Sequence, residues 1–335
     1  MRFRSLMRMF AITSLLLVIV GITAAQTVDY RVSSPYVYKN LSVFLLHGKD
    51  QNKKGNVMTL QEAMERKLLV VYETSEVNEL EVENLSKQFD VFIQSGDIVK
   101  GGKQDRVLAV SIIIPAGSGR VKIDAFCVES GRWTKRGSED STKFTSSNDR
   151  IVTKELKIAA NAARSQSEVW NKVSEAQARL SNNVGDTVAD RTSSSSLQLS
   201  LENKKVVASV DDYIRNLSNI VNGKSDVIGY AVAINGKINS ADVYVSNALF
   251  KKVWLKMLKA SATEAVSESR SIRLADPVKS EAVKGFLDDS EKAASRDQSV
   301  NGASLRTRED KYNVMVETRD EKSKVVVHKT YVKKN

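Results

Sequence analysis

Two short polar clusters carry most of the residues that could do chemistry. The first, residues 96–106, joins two predicted strands and combines glycines, which permit close approach of a ligand to the backbone, with charged and amide side chains. The second, residues 127–133, follows a predicted strand. The candidate ligand-binding residues are Asp97, Gly101, Gly102, Lys103, Gln104, Asp105, Arg106, Glu129, Arg132 and Trp133.

The chemistry of these clusters favours an anion. Lysine and arginine bind phosphate or carboxylate, and Trp133 beside a charged pair suits stacking against a ring. The phosphate-loop pattern GxxxxGK[ST] is not met, because Gly102 stands where the lysine should follow Gly101 and Gln104 stands where Ser or Thr should follow the lysine. We therefore predict an anion site that is not a nucleotide phosphate loop.

The scarcity of histidine and cysteine limits metal chemistry. Only His47, Cys127 and His328 are present, whereas a structural zinc site uses about four such ligands. We expect no zinc, haem or iron–sulfur cluster, and no metal site is predicted. Cys127 alternates with apolar residues along a predicted strand, so it is predicted to pack in the core.

The N-terminus has the order of a secretory signal peptide. Residues 1–9 carry three arginines and no acid, residues 10–22 are almost wholly apolar, and small residues precede Gln26. We predict cleavage between Ala25 and Gln26 and export to the periplasm or the exterior. An uncleaved anchor is the alternative, although the apolar run is shorter than the ~20 residues of a spanning helix. No membrane span is predicted after cleavage.

The net charge of +11 does not by itself indicate a polyanion partner. Nucleic-acid binding favours clustered Lys and Arg with interleaved aromatic residues, and here the charge is spread along the chain. No nucleic-acid partner is expected. Four lysines fall on one face of a predicted helix that starts at Asn247, opposite its apolar face, and we expect that basic face to be solvated. These are Lys251, Lys252, Lys256 and Lys259.

The first half of the chain predicts strands. Several short apolar runs between residues 36 and 133 are typical of an antiparallel sandwich or barrel-like unit. Residues 106–114 are apolar on both faces and predict one central strand. Thr59 followed by Glu62 fits a capping box and predicts a short helix at that point.

The second half predicts helices and a hairpin. An uninterrupted helix is predicted over 154–180, a flexible polar loop over 181–196, and a hairpin around Asn235-Gly236. The fold class is therefore α+β, with a β unit followed by helices and a hairpin packed against it. We predict a single domain over 36–270 and a charged C-terminal extension over 271–335 with one helix and a second hairpin.

Four stretches in order resemble a known family. GDIVKGGKQDR (96–106), CVESGRW (127–133), SQSEVW (165–170) and the stretch 229–265 are similar to the ADP-ribosylglycohydrolase- and rhodanese-phosphatase-associated protein domain family, over residues 36–270. That family is named for domain and gene-neighbourhood association. The resemblance implies at most a link to ADP-ribose or nucleotide-like ligands.

Three functions stay open at this point. The leading hypothesis is an exported binding or accessory domain for a small anionic, nucleotide-like ligand, with protein partners unspecified. The second is a hydrolase in which Asp97, Asp105 or Glu129 acts as general base or as a ligand for Mg²⁺ or Ca²⁺. The third is a structural or interaction protein of the cell envelope, in which the same residues form buried ion pairs.

Overall fold

The computed structural model describes residues 29–51, 57–268, 278–300 and 303–334, so the predicted signal peptide lies outside the described residues. The strands are β1 (Arg31–Val32), β2 (Tyr36–Tyr38), β3 (Leu41–His47), β4 (Val57–Thr59), β5 (Leu69–Glu73), β6 (Glu79–Asn84), β7 (Asp90–Ile93), β8 (Asp97–Gly101), β9 (Arg106–Leu108), β10 (Ile112–Ile114), β11 (Val121–Cys127), β12 (Phe144–Arg150), β13 (Val227–Ile234), β14 (Lys237–Tyr244), β15 (Ala294–Val300), β16 (Ala303–Glu309), β17 (Asn313–Asp320) and β18 (Val326–Lys333). The helices are α1 (Leu60–Glu65), α2 (Lys154–Ile158), α3 (Gln166–Val184), α4 (Leu197–Leu201), α5 (Lys204–Leu217), α6 (Asn247–Ser267) and α7 (Ser280–Lys292).

The strands form three sheets. A nine-stranded sheet runs β1-β3-β13-β14-β18-β17-β16-β15 with β2 also paired to β3, a three-stranded sheet runs β10-β7-β4, and a six-stranded sheet runs β12-β8-β9-β11-β6-β5. All pairs are antiparallel except β4 with β7. The outer strands of the six-stranded sheet meet through a bridge between Tyr72 and Lys143. The predicted α+β class with a barrel-like antiparallel unit is confirmed.

Two local predictions are confirmed at atomic detail. The Thr59 hydroxyl accepts from the Glu62 N–H at 3.2 Å, and the Glu62 carboxylate accepts from the Thr59 N–H at 2.9 Å, which completes the capping box of α1. Asn235 and Gly236 have φ angles of 51° and 69°. A type I′ turn requires positive φ at both positions, so this pair fixes the β13–β14 hairpin.

The predicted central strand over 106–114 is wrong as a single element. β9 belongs to the six-stranded sheet and β10 to the three-stranded sheet. The break falls at Ala109–Ser111, where the Ala109 N–H donates to the Asp124 carbonyl and the Ser111 hydroxyl accepts from the Ser95 N–H. The run is apolar on both faces because the chain crosses the core between two sheets.

The predicted helix over 154–180 is also interrupted. α2 continues into a π-helical turn over Ala159–Ala163 and ends at Arg164, whose φ is 52°. α3 then starts afresh, because the Ser165 hydroxyl caps it by accepting from the Glu168 N–H. The break turns α3 toward β11, against which it packs.

The C-terminal residues join the main sheet. α7 and the β17–β18 hairpin form as predicted, and β18 pairs with β14, so this hairpin extends the sheet that contains the β13–β14 hairpin. Val283, Phe286 and Leu287 of α7 pack in a second apolar cluster with Phe44 and Leu46 of β3. Among the described residues, no helix combines the length and the apolar character needed to span a bilayer.

The basic face of α6 is only partly solvated: Lys251 and Lys252 are exposed, whereas Lys256 and Lys259 are partly buried. Three of its four lysines reach carboxylates of the neighbouring elements: Lys252 to Glu62 at 3.0 Å, Lys256 to Asp97 at 2.9 Å and Lys259 to Asp149 at 2.6 Å. Helical periodicity places these lysines on one face, but it does not show that the face meets acidic residues of β8, β12 and α1. The ion pairs fasten α6 to the β unit.

Candidate functional site

The two polar clusters of the sequence meet at one place. β9 pairs with β11 so that Arg106 lies opposite Cys127. Glu129 accepts a hydrogen bond from the Asp105 N–H at 3.1 Å, and Arg132 holds the same carboxylate with two bonds, Nε to Oε1 at 2.7 Å and Nη2 to Oε2 at 2.6 Å. This bidentate pair is the strongest kind of charge-assisted contact in proteins.

Asp105 is surrounded in the same way. Its carboxylate accepts from Arg136 Nη1 at 2.9 Å and Nη2 at 3.1 Å, from the Ser196 hydroxyl at 2.9 Å and from the Gly101 N–H at 3.0 Å. Arg136 also binds Glu139 at 2.8 Å. Sequence reasoning missed Arg136, because it lies outside both motifs in a loop of irregular structure. We call Asp105, Glu129, Arg132, Arg136 and Glu139 the ion-pair network.

A serine-rich loop closes over the ion-pair network. The Ser193 hydroxyl donates to the Glu129 carboxylate, and the Ser195 hydroxyl donates to the Ser130 carbonyl at 2.6 Å while accepting from the Ser130 N–H at 3.1 Å. The stretch 181–196, predicted as a flexible loop, is therefore anchored at its C-terminal end. The polar composition predicts a flexible loop, and no local pattern identifies these distant partners.

The network is charged and compensated. Burial acts to raise the pKa of Glu129, but hydrogen bonds from Arg132, Ser193 and the Asp105 N–H outweigh it and hold that pKa below its usual value. Burial acts in the opposite sense on Arg136, yet its contacts with Asp105 and Glu139 keep its pKa above the ordinary value. Glu129 is thus ionised, and both Glu129 and Asp105 are paired with guanidinium groups, which leaves neither free as a general base.

No metal centre is present among the residues that the structure describes: no group of three His, Cys, Asp or Glu side chains is placed to hold an ion. Asp97, the third carboxylate of the hydrolase hypothesis, lies apart from the network and pairs with Lys256 at 2.9 Å. The pairing of Asp105 and Glu129 with arginines thus argues against carboxylate-dependent hydrolysis at this site.

Arg106 and Cys127 lie beneath the network. Arg106 is fully buried, pairs with Glu73 at 3.3 Å, donates to the Val77 carbonyl at 3.2 Å and contacts the Cys127 thiol. Burial raises the pKa of Cys127 to about 11, so the thiol is neutral at physiological pH. The prediction that Cys127 packs in the core is confirmed.

Gly101 and Gly102 shape the turn between β8 and β9 and do not form an open loop. Gly101 and Gly102 have φ angles of 117° and 56°, which side chains with a Cβ rarely adopt. A Cβ on Gly102 would also collide with the Phe144 ring. Gln104, which follows this turn in the sequence, is also buried. These residues therefore fix the shape of the β8–β9 connection.

Trp133 and Lys103 are the members of the predicted set that reach the surface. The Trp133 side chain is 43% exposed, and the Lys103 ammonium and the Arg106 guanidinium lie 5.3 Å and 5.6 Å from its ring centre. The Lys103 ammonium also donates to the Ser75 hydroxyl at 2.9 Å. Val77, whose carbonyl binds Arg106, is another exposed apolar residue. The surface beside the network thus presents an exposed indole with a lysine ammonium next to it.

Comparison with protein-family models decides the family. The model of the ARG and Rhodanese-Phosphatase-superfamily-associated Protein domain matches residues 29–333. The chain belongs to this family. The resemblance drawn from the motifs is confirmed, and the match runs beyond residue 270 to include α7 and the four C-terminal strands. Searches of the curated proteins and of the solved structures return no match. The family's association with these two superfamilies is compatible with a general accessory role.

A further polar cluster was not predicted from the sequence. The Ser111 hydroxyl lies 2.9 Å from His328 Nδ1, and His328 Nε2 lies 3.1 Å from Asp242 Oδ1. Gln94 reaches both the Tyr244 hydroxyl and the His328 ring. Ser111 directly precedes β10, Asp242 lies on β14 and His328 lies on β18, so only the fold brings them together. We call Ser111, His328 and Asp242 the buried relay.

The buried relay has the residue types of a catalytic triad but not its access. All three side chains are buried, and the adjacent cavity, lined in part by Ser95, Asn161 and Thr330, has a volume of about 10 Å³. A cavity of that size holds one water molecule and no substrate. The relay therefore links the three-stranded sheet to the nine-stranded sheet by hydrogen bonds within the core.

Proposed function

We propose that this protein is an exported accessory binding domain, and that Trp133 and Lys103 form its contact with a small anionic ligand that carries a planar ring, of the nucleotide or ADP-ribose type. The observation that carries the proposal is the exposed Trp133 indole with the Lys103 ammonium 5.3 Å from its ring centre. An indole stacks on a ring, and an ammonium beside it attracts a phosphate.

The surrounding charges support this placement. The guanidinium groups of Arg106, Arg132 and Arg136 are held by Glu73, Glu129 and Asp105, so they offer little to a ligand. Lys103 has a hydroxyl partner, Ser75, and no carboxylate is paired with its ammonium in the part of the chain described. Its charge is therefore available to an anion, while the network below keeps the loop rigid and lowers the entropy cost of binding.

The first prediction concerns binding at Trp133. Because stacking on an aromatic side chain contributes about 1–3 kcal/mol, Trp133→Ala should weaken the binding of ADP-ribose about tenfold or more. Lys103→Ala should also weaken it and should reduce its dependence on salt. Isothermal titration calorimetry of ADP-ribose and of AMP at low and high salt measures both effects.

Tyr312→Ala is the matched control for this prediction. Tyr312 is 55% exposed and has Lys311 and Lys333 at 5.3 Å and 5.4 Å from its ring centre, but it lies in the β16–β17 turn. The variant should bind like the wild type. Equal affinities for the wild type and Trp133→Ala, or no heat of binding with either ligand, would rule out the proposed contact.

Export rests on the N-terminal pattern and makes a second prediction. The basic, apolar and small-residue order of residues 1–25 should direct the chain across a membrane, with cleavage before Gln26. N-terminal sequencing of the protein isolated from its natural host should begin at or near Gln26. Recovery of chains that begin at Met1 would contradict export with cleavage, and a chain that remains in the membrane fraction would support the anchor instead.

A further inference from the structure

A polar groove is lined by residues of β8, β12, α5 and α6, together with Glu202 at the C-terminal end of α4. Its volume is about 460 Å³, within the range of small-molecule sites. Two ion pairs line it, Lys100 with Glu202 at 2.8 Å and Lys259 with Asp149 at 2.6 Å. Glu139 of the network also lines it. Lys100 belongs to the family stretch 96–106 and Lys259 to the stretch 229–265, and the other lining residues lie outside the stretches identified in the sequence.

The floor of the groove is a β-bulge. The pairing of β12 with β8 shifts between Ser146 and Arg150, so residues 147–149 stand opposite a single residue of β8. Bulges re-aim side chains and occur often beside binding sites. Here the bulge presents Asn148 and Asp149 to the groove.

A buried glutamine holds the groove in shape. Gln198 of α4 is 1% exposed, and its amide accepts from the Ser147 hydroxyl at 2.7 Å and donates to Asp149 and Glu202, each at 3.1 Å. One side chain thus fixes three polar groups from two elements. Such supported polar groups are pre-organised, which lowers the cost of ordering them when a ligand binds.

One acceptor in the groove lacks a partner. Glu139 Oε1 binds Arg136, but the buried Oε2 atom accepts no hydrogen bond. That atom is enclosed by the protein, and the acceptors open to the groove are the carboxylates of Glu202, whose side chain is 42% exposed, and Glu139, whose side chain is 23% exposed. Three carboxylates and two ammonium groups line the groove, which disfavours an anion, and the two lysines disfavour a cation.

We infer that the groove binds a neutral polyhydroxylated ligand of the size of a monosaccharide. Each sugar hydroxyl both donates and accepts, so it can donate to the carboxylate of Glu139 or Glu202 and accept from Asn148 or from a lysine. This site is separate from the Trp133 contact, and it favours uncharged ligands where that contact favours anions. The inference therefore stands whether or not the proposed function holds.

Saturation-transfer NMR with D-ribose, D-glucose and D-ribose 5-phosphate tests the site. The purified protein should transfer saturation to the two neutral sugars, and less to the phosphate. Because a lost hydrogen bond to a charged group reduces affinity about tenfold, Glu139→Gln and Asn148→Ala should each weaken binding by roughly that factor. Thermal unfolding confirms that each variant is folded.

One control variant tests whether the effect is specific to the groove. Asn171→Ala changes an exposed asparagine on α3 outside the groove and should leave sugar binding unchanged. The inference is overturned if neither neutral sugar receives saturation, if folded Glu139→Gln and Asn148→Ala both bind like the wild type, or if D-ribose 5-phosphate binds better than D-ribose.

Discussion

Replacing Glu129 with alanine should lower the free energy of unfolding by about 3–5 kcal/mol. The change removes the partner of the Arg132 fork, and it also leaves the Asp105 N–H and the Ser193 hydroxyl without their acceptor. Breaking a buried ion pair from one side is costly because the remaining charge stays desolvated. Urea denaturation followed by circular dichroism measures the loss.

Two further variants serve as comparisons for the stability loss in Glu129→Ala. Asp297→Ala removes a pair that Asp297 makes with Arg306 at 2.7 Å near the surface, where Asp297 is 54% exposed, and it should cost no more than about 1 kcal/mol. Glu129→Gln keeps the shape of the side chain and removes its charge, so it should fall between the two. A loss in Glu129→Ala as small as that in Asp297→Ala would show that the network does not stabilise the fold.

The sequence predicted the centre of the network but not its boundary. Residues 96–106 and 127–133 were singled out by their residue types, and the antiparallel pairing of β9 with β11 brings them together. Arg136, Ser193 and Ser196 also bind the carboxylates of that centre. Their partners lie up to 91 positions away along the chain, so no local pattern connects them.

Predictions that depend on contacts between residues close together in the sequence were confirmed. The capping box at Thr59 and the Asn235-Gly236 turn depend on contacts within four residues, and both formed as predicted. The apolar run over 106–114 failed because periodicity reports burial on two faces, not which sheet each part joins. The lysines of α6 failed for a related reason: a helical face predicts exposure only if nothing charged packs against it.

The second large expected effect on stability concerns Asp242 of the buried relay. Asp242→Asn keeps the size of the side chain but removes the negative charge beside Arg150. Burial alone would lower the pKa of Arg150, yet that pKa lies above the ordinary value because the Asp242 and Asp97 carboxylates attract the proton. Without Asp242 a fully buried guanidinium loses its main counter-charge. We expect a loss of about 3–5 kcal/mol at neutral pH, measured by chemical denaturation.

The pH dependence of that loss provides the decisive comparison. Burial raises the pKa of Asp242, but His328, Arg150 and Lys157 outweigh it and place the pKa well below its usual range. Stability from this carboxylate is therefore present above its unfolded pKa, about 4, and is lost as the pH falls through the folded pKa. The wild type should lose stability between about pH 5 and pH 2 more steeply than Asp242→Asn, so the two curves converge in acid.

Asp289→Asn is the control for both measurements. Asp289 is exposed on α7, so this variant should follow the wild type in stability and in pH dependence. If Asp242→Asn instead ran parallel to the wild type down to low pH, the carboxylate would not be ionised in the core. The Ser111–His328–Asp242 chain would then be a set of neutral hydrogen bonds, and Arg150 would depend on Asp97 for its charge balance.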